Sequence, residues 1–122
     1  MTKKLIFIIL FLFLFSGYVY GEEPEVKRDY YDSDKLKCET YYKNGVPDGL
    51  PTDWYRNGII EYSKRYKNEK LEGMKTEWYE SGKKQSTSHF KNGIENGFRK
   101  KWNKDGKLTF QGNFVDGVEE IK

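Results

Sequence analysis

The sequence predicts an all-β protein in which tandem 24-residue β-hairpin repeats form an elongated antiparallel sheet. Three observations predict it. Trp54, Trp78 and Trp102 stand 24 residues apart, and Tyr30 stands 24 before the first of them. Gly58, Gly82 and Gly106 keep the same interval, as do Tyr42, Tyr66, Phe90 and Phe114. Within each period, two turn signals bound segments in which apolar and polar residues alternate. A fixed period of roughly 20–50 residues marks a stack of small supersecondary units. Such a chain offers an extended surface rather than one cleft.

Residues 1–21 stand apart from the repeats. Lys3 and Lys4 precede an unbroken apolar run from Leu5 to Phe15, followed by Ser16, Gly17 and the stretch Val19-Tyr20-Gly21. A basic start, an apolar core and small residues at the cut describe a secretory signal peptide, with cleavage after Gly21. The competing reading is an uncleaved membrane anchor, but the run is shorter than the ~20 residues that span a bilayer. Residues 22–28 read as a lead-in, and residues 29–122 as a domain of four repeats.

The first turn of each copy follows the first aromatic pair: Ser33-Asp34, Asn57-Gly58, Ser81-Gly82 and Asp105-Gly106. The second follows the later aromatic: Asn44-Gly45, Asn92-Gly93 and Asp116-Gly117. Asn-Gly and Asp-Gly suit type I′ hairpin turns, because both central positions tolerate positive φ. The intervening segments alternate with period two. Leu36, Cys38, Thr40 and Tyr42 form one set, matched by Ile60, Tyr62, Lys64 and Tyr66 and their later counterparts. Thr52 with Trp54, Thr76 with Trp78, and Lys100 with Trp102 form the other. Both sets are expected to face inward, with the tryptophans and later aromatics as a stacked core and one face wet. Fifteen aromatics lie outside the signal segment, enough to dominate the burial of so small a domain.

The combination resembles the MORN-repeat variant family, whose pattern is W-Y-x-N-G, a gap, then Y-x-N-G-x-x-x-G. Trp54, Tyr55, Asn57, Gly58, Tyr66, Asn68 and Gly73 carry it, and it recurs at Trp78, Tyr79, Gly82, Phe90, Asn92, Gly93 and Gly97. The resemblance covers roughly residues 28–119. Asp34 and Glu69 replace turn glycines and Asn103 replaces an aromatic, so looser or different turns are expected there. The resemblance implies a bacterial protein that binds rather than catalyses, of the antitoxin or immunity kind.

Charge and chemistry narrow the function classes. The chain has 22 basic and 19 acidic residues, and removing Lys3 and Lys4 leaves 20 against 19. That balance implies no phosphate-tracking patch, so nucleic acid is not an expected partner. Cys38 is the only cysteine and His89 the only histidine, so neither an intramolecular disulfide nor a metal set is expected. No nucleophile elbow or phosphate-binding glycine loop occurs. The reading is therefore no enzyme, no cofactor and no catalytic residue. The expected site is a partner-binding ladder of Tyr55 and Tyr79, facing away from the tryptophans, with Arg56, Arg65 and Lys67 beside it. The expected partner is a protein, which for an exported chain means a toxin acting in the envelope or another envelope component. The membrane is engaged only through the signal segment. The alternative is binding of an envelope glycan or membrane surface through the tyrosines.

Overall fold

The computed structural model describes residues 23–121; the expected signal segment lies outside them. The described residues contain strands and turns and no helix. Copy one comprises β1 (Glu25–Tyr30), β2 (Leu36–Lys43) and the short β3 (Val46–Pro47). Copy two comprises β4 (Thr52–Trp54), β5 (Ile60–Ser63), β6 (Tyr66–Lys67) and β7 (Lys70–Leu71). Copy three comprises β8 (Gly73–Trp78), β9 (Lys84–Lys91) and β10 (Ile94–Glu95). Copy four comprises β11 (Gly97–Trp102), β12 (Leu108–Val115) and β13 (Val118–Glu119). β1 begins at Glu25, inside the stretch read as a lead-in.

The long strands form one antiparallel meander in the order β1-β2-β4-β5-β8-β9-β11-β12-β13, with β3 on β2 and β10 on β9. The predicted fold class is the observed one. Each long strand pairs with the next long strand in the chain, as short connections require.

The two kinds of turn differ, and only one is type I′. At the second turn both central residues have positive φ: Asn44 and Gly45, Asn68 and Glu69, Asn92 and Gly93, Asp116 and Gly117. At the first turn only one residue does: Asp34, Gly58, Gly82 or Gly106. There the N–H of Gly58 donates to the Tyr55 carbonyl at 2.9 Å and that of Tyr55 to the Ile59 carbonyl at 2.8 Å. This is a type I turn closed by a left-handed residue, which adds one residue and creates a bulge. A second irregularity follows each of these turns: the register shifts at Asp29/Tyr30, Asp53/Trp54, Glu77/Trp78 and Lys101/Trp102, where one further residue, Lys37, Glu61, Gln85 or Thr109, is inserted in the second strand. The Asp34 turn is not looser: its two hydrogen bonds, 2.8 and 3.0 Å, match those of the glycine copies. Aspartate is among the side chains that enter the left-handed region most readily.

The expectation of one inward face is corrected by the register. Asp29, Cys38, Asp53, Tyr62, Glu77, Ser86, Lys101 and Phe110 form one cross-strand row. Arg28, Glu39, Thr52, Ser63, Thr76, Thr87, Lys100 and Gln111 form the next, on the opposite face. Thus the Cys38 and Tyr62 set and the Thr52 and Thr76 set lie on different sides. The turn alone, with Tyr55 opposite Ile59 and Trp54 opposite Ile60, would set Thr52 opposite Tyr62; the extra residue Glu61 sets Asp53 there instead. The stacked aromatic core is corrected with it. Phe114 is buried, as are Pro51, Thr76 and Ser88, but the tryptophans are half-buried and no large side chain among the described residues is fully buried. A single layer has no second layer to close over it. Cohesion must come largely from contacts between adjacent strands and copies.

Candidate binding surface

At the first-turn edge, Tyr31 Oη donates to the Trp54 carbonyl at 2.7 Å, Tyr55 Oη to the Trp78 carbonyl at 2.8 Å, and Tyr79 Oη to the Trp102 carbonyl at 2.8 Å. Each bond links one copy to the next. Tyr55 and Tyr79, expected as an exposed contact ladder, are half-buried here with their hydroxyls committed to the neighbouring copy. Burial raises the Tyr55 phenol above its ordinary value, with Glu61, Glu80 and Glu77 adding to it. The Asn57 amide reinforces the joint by donating to the Glu80 carbonyl at 2.9 Å. Asn103, in the tyrosine column, instead accepts from the Asp105 and Lys107 N–H groups of its own turn, at 3.1 and 2.9 Å.

The second-turn edge has its own ladder. The Gly93 N–H donates to the Leu71 carbonyl and the Gly117 N–H to the Glu95 carbonyl, both at 2.8 Å, while Glu69 reaches the Pro47 carbonyl at 3.4 Å. Left-handed geometry at this position turns the N–H toward the preceding copy. Both edges of the sheet are therefore stapled at the repeat interval.

The expected site residues divide between these edges. Arg56 is exposed at the first turns, its guanidinium 4.7 Å from the Tyr31 ring centroid and 3.9 Å from Asp32 Oδ2. Arg65 and Lys67 are exposed at the second turns and line a groove of about 700 Å³ with Lys43, Asp48, Tyr66 and Glu72. Tyr55 and Tyr79 border a separate groove of about 410 Å³ with Glu80, Ser81 and Lys104. The structure brings Arg65 and Lys67 together, and leaves Arg56 and the tyrosines elsewhere.

Along the Cys38 row each of the first three copies sets a carboxylate across from a donor. Cys38 Sγ donates to Asp29 Oδ2 at 3.3 Å, Tyr62 stands opposite Asp53, and the Ser86 hydroxyl donates to Glu77. Burial raises the Cys38 thiol, with Asp29 adding to the effect, so its reactive thiolate is disfavoured. Cations cap aromatic rings on this face: Lys27 Nζ lies 4.7 Å from the Tyr42 centroid, Lys64 Nζ 4.9 Å from that of Tyr62, and Arg99 4.3 Å from that of Phe114. On the opposite face, exposed Phe98 borders a shallow groove of about 320 Å³ with Thr87, His89, Lys100 and Gln111. His89 is exposed, its Nδ1 3.1 Å from the Phe98 carbonyl. Among the described residues no three His, Cys, Asp or Glu side chains gather as metal ligands.

Residues 26–44 and 71–92 match the family model described as the MORN repeat variant. These are MORN repeat variants. The matches fall on copy one and, from Leu71, on copy three, and the same hydrogen-bond ladders run through copies two and four. No curated protein matches the chain, and no solved structure does. The groove around Arg65 and the inter-copy ladders were not read from sequence alone. The signal for the ladders was present in the Tyr31, Tyr55 and Tyr79 column, always one residue after the tryptophan position.

Proposed function

We propose that this chain is an exported, non-catalytic MORN-variant repeat protein that binds a protein partner, as an antitoxin or immunity protein does. The observation that carries the reading is the second-turn groove. Lys43, Arg65 and Lys67 line it, and Arg65 and Lys67 are exposed. Its size suits a protruding segment of another protein, and its cations suit carboxylates on that segment. The basic, apolar and small-residue succession of residues 1–21 supports export with cleavage after Gly21. A toxin met after export would act in the envelope.

The test is in-cell cross-linking of the tagged chain, followed by capture from the envelope fraction. One protein should be captured by the wild type and lost with Arg65→Glu combined with Lys67→Glu, while circular dichroism is unchanged. Capture that survives the double variant rejects this groove. N-terminal sequencing of the captured chain should begin at Glu22; an intact N-terminus would instead mean an anchor.

A second reading is glycan binding. Exposed Phe98 with Thr87, His89, Lys100 and Gln111 provides a ring for stacking and polar groups around it. Retention of cell-wall glycan that Phe98→Ala abolishes, without a protein partner, would favour this reading.

A further inference from the structure

The same joint occurs three times within the chain, where β2 meets β4, β5 meets β8, and β9 meets β11. Its register repeats: Cys38 with Asp53 and Glu39 with Thr52, Tyr62 with Glu77 and Ser63 with Thr76, Ser86 with Lys101 and Thr87 with Lys100. At β12 the equivalent residues are Phe110 and Gln111. Among the described residues they pair with β11 on one side and with nothing on the other. β13 covers Phe114 and Val115, and beyond it the Glu120 N–H donates to the Asn113 carbonyl at 2.8 Å.

Within the strand itself this edge carries no guard, although the Glu119 and Glu120 carboxylates that follow it lie beside Gly112 and Asn113. β12 runs eight residues, Leu-Thr-Phe-Gln-Gly-Asn-Phe-Val, without a charge or a proline. Exposed edges are ordinarily blunted by such residues, because unpaired backbone groups recruit another strand. Side chains at this end are bare as well, with Leu108 51% and Val118 69% exposed. In the preceding copy the corresponding Ile94 is less exposed, at 49%, and a Cβ on Gly117 would be 3.6 Å from it. At the other end of the sheet, β1 is the matching half-joint. Its Tyr30, in the tryptophan column, is 56% exposed.

We propose that the open edge of β12 takes β1 of a second copy of this chain, head to tail, so that the sheet continues across the joint in the internal register. Four units of the 24-residue period bring the second copy into phase. Phe110 then opposes Asp29 of the second copy, and Gln111 opposes its Arg28. The Gly45 N–H of the second copy reaches the Glu119 carbonyl, as Gly93 reaches Leu71 and Gly117 reaches Glu95 internally. One element is missing: Asn103 holds its own turn and supplies no hydroxyl to the next copy. The joint is therefore weaker than the internal ones, and the assembly reversible. A heterologous contact of this kind builds a ring where its rotation closes and an open chain where it does not.

Sedimentation of the purified chain over a concentration series should show a mass that rises past the dimer. Gln111→Lys sets a like charge opposite Arg28 of the second copy, as it does opposite Lys100 within the chain, and should weaken association by roughly two- to fivefold; the urea midpoint of the dilute chain, measured alongside, separates the two effects. The register has a separate test in a Cys38→Ser background, where protein carrying Gln111→Cys is mixed with protein carrying Arg28→Cys under mild oxidation. The 28–111 disulfide should predominate. A mass that stays monomeric at every concentration would overturn the proposal. So would a mass that stops at the dimer with the 111–111 disulfide predominating, which would mean two β12 edges paired symmetrically.

Discussion

Copies two and three follow one plan, yet the sheet is continuous in one and broken in the other. In copy three, β8 spans six residues and β9 eight. In copy two, β4 has three residues, β5 four, and β6 pairs with β7 in a separate two-stranded sheet, with a single further bridge from Tyr66 to Gly49. Two residues account for the difference. Pro51 occupies the position of Lys75, which pairs with Ser88 in copy three. Proline has no N–H to give the ladder, so β4 starts after it. Glu69 occupies the position of Gly93 and is held at φ +67°, where a side chain is strained. Its inter-copy hydrogen bond is 3.4 Å, against 2.8 Å at Gly93. The repeat thus tolerates a lost ladder bond and a strained turn in one unit because units on both sides hold it.

The largest expected effect separates the two copies through their tryptophans. Trp78 lies in the complete copy and its carbonyl receives the Tyr55 hydroxyl. Trp78→Ala should destabilise by about 3 kcal/mol, the low end for tryptophan truncation because the ring is half-buried. Trp54→Ala should cost less, since β4 has half the residues of β8. His89→Ala, at an exposed site, should change the urea midpoint little. If Trp54→Ala lowers the midpoint more than Trp78→Ala does, the short strands of copy two are the firmer part and the comparison is reversed.

Next come the tyrosine staples. Tyr79→Phe and Tyr55→Phe each remove one hydroxyl from a half-buried hydrogen bond to the next copy. Each should cost about 1 kcal/mol. Hydrogen exchange should then quicken at the joint each variant touches, between copies two and three for Tyr55 and between three and four for Tyr79. Wild-type stability and exchange in both variants would show the hydroxyls to be idle, and would return them to the candidate contact surface.

The fold was legible because period and turn residues are local. The Trp54, Trp78 and Trp102 column fixed the unit, and Asn44-Gly45 and Asn92-Gly93 fixed its type I′ turns. What depends on relations between strands was not legible. The turn type cannot be seen in Asn57-Gly58, whose dipeptide suits either turn, and the residue inserted at Glu61, which decides which face follows, carries no local signal. Cys38 was therefore assigned to the same side as Thr52, although it pairs with Asp53. Pro51 was readable as a strand breaker and was passed over in favour of the period. The expected site mixed residues from two edges, because Tyr55 and Arg65 are close in sequence but lie at opposite ends of a strand.

A smaller change would repair copy two. Glu69→Gly removes the side chain from a left-handed position and should stabilise by about 1 kcal/mol. No corresponding gain is open at Gly93, where glycine is already present, and Gly93→Glu should lose a similar amount. Chemical denaturation of the two variants measures both. A destabilised Glu69→Gly protein would mean that the glutamate side chain holds the turn rather than straining it.

The smallest expected effect distinguishes the copies by pH, through the row that pairs Tyr62 with Asp53 and Ser86 with Glu77. Burial, with the Asp53 carboxylate beside it, raises the Tyr62 phenol well above its ordinary 10.0. A raised pKa means the folded state favours the neutral phenol. That contribution is complete below pH 10 and is lost as pH rises beyond it. Glu77 behaves oppositely. Burial alone would raise its carboxyl, but the hydrogen bonds from Lys75 and Ser86 outweigh it and hold the value below 4.5. Its contribution is present above pH 4.5 and is lost as pH falls below that value. The carboxylate is partly exposed, so the acid effect should be on the order of 0.5 kcal/mol or less. Glu39 in copy one, held down by hydrogen bonds from Tyr41 and Arg28, adds to the same acid limb. Urea midpoints measured across pH should therefore fall at both ends. Glu77→Gln should flatten part of the acid limb and leave the alkaline one, and Tyr62→Phe should do the reverse. Should Tyr62→Phe leave the alkaline limb intact, that limb belongs to other groups, such as Tyr55, Tyr41 or Cys38, whose values are also raised.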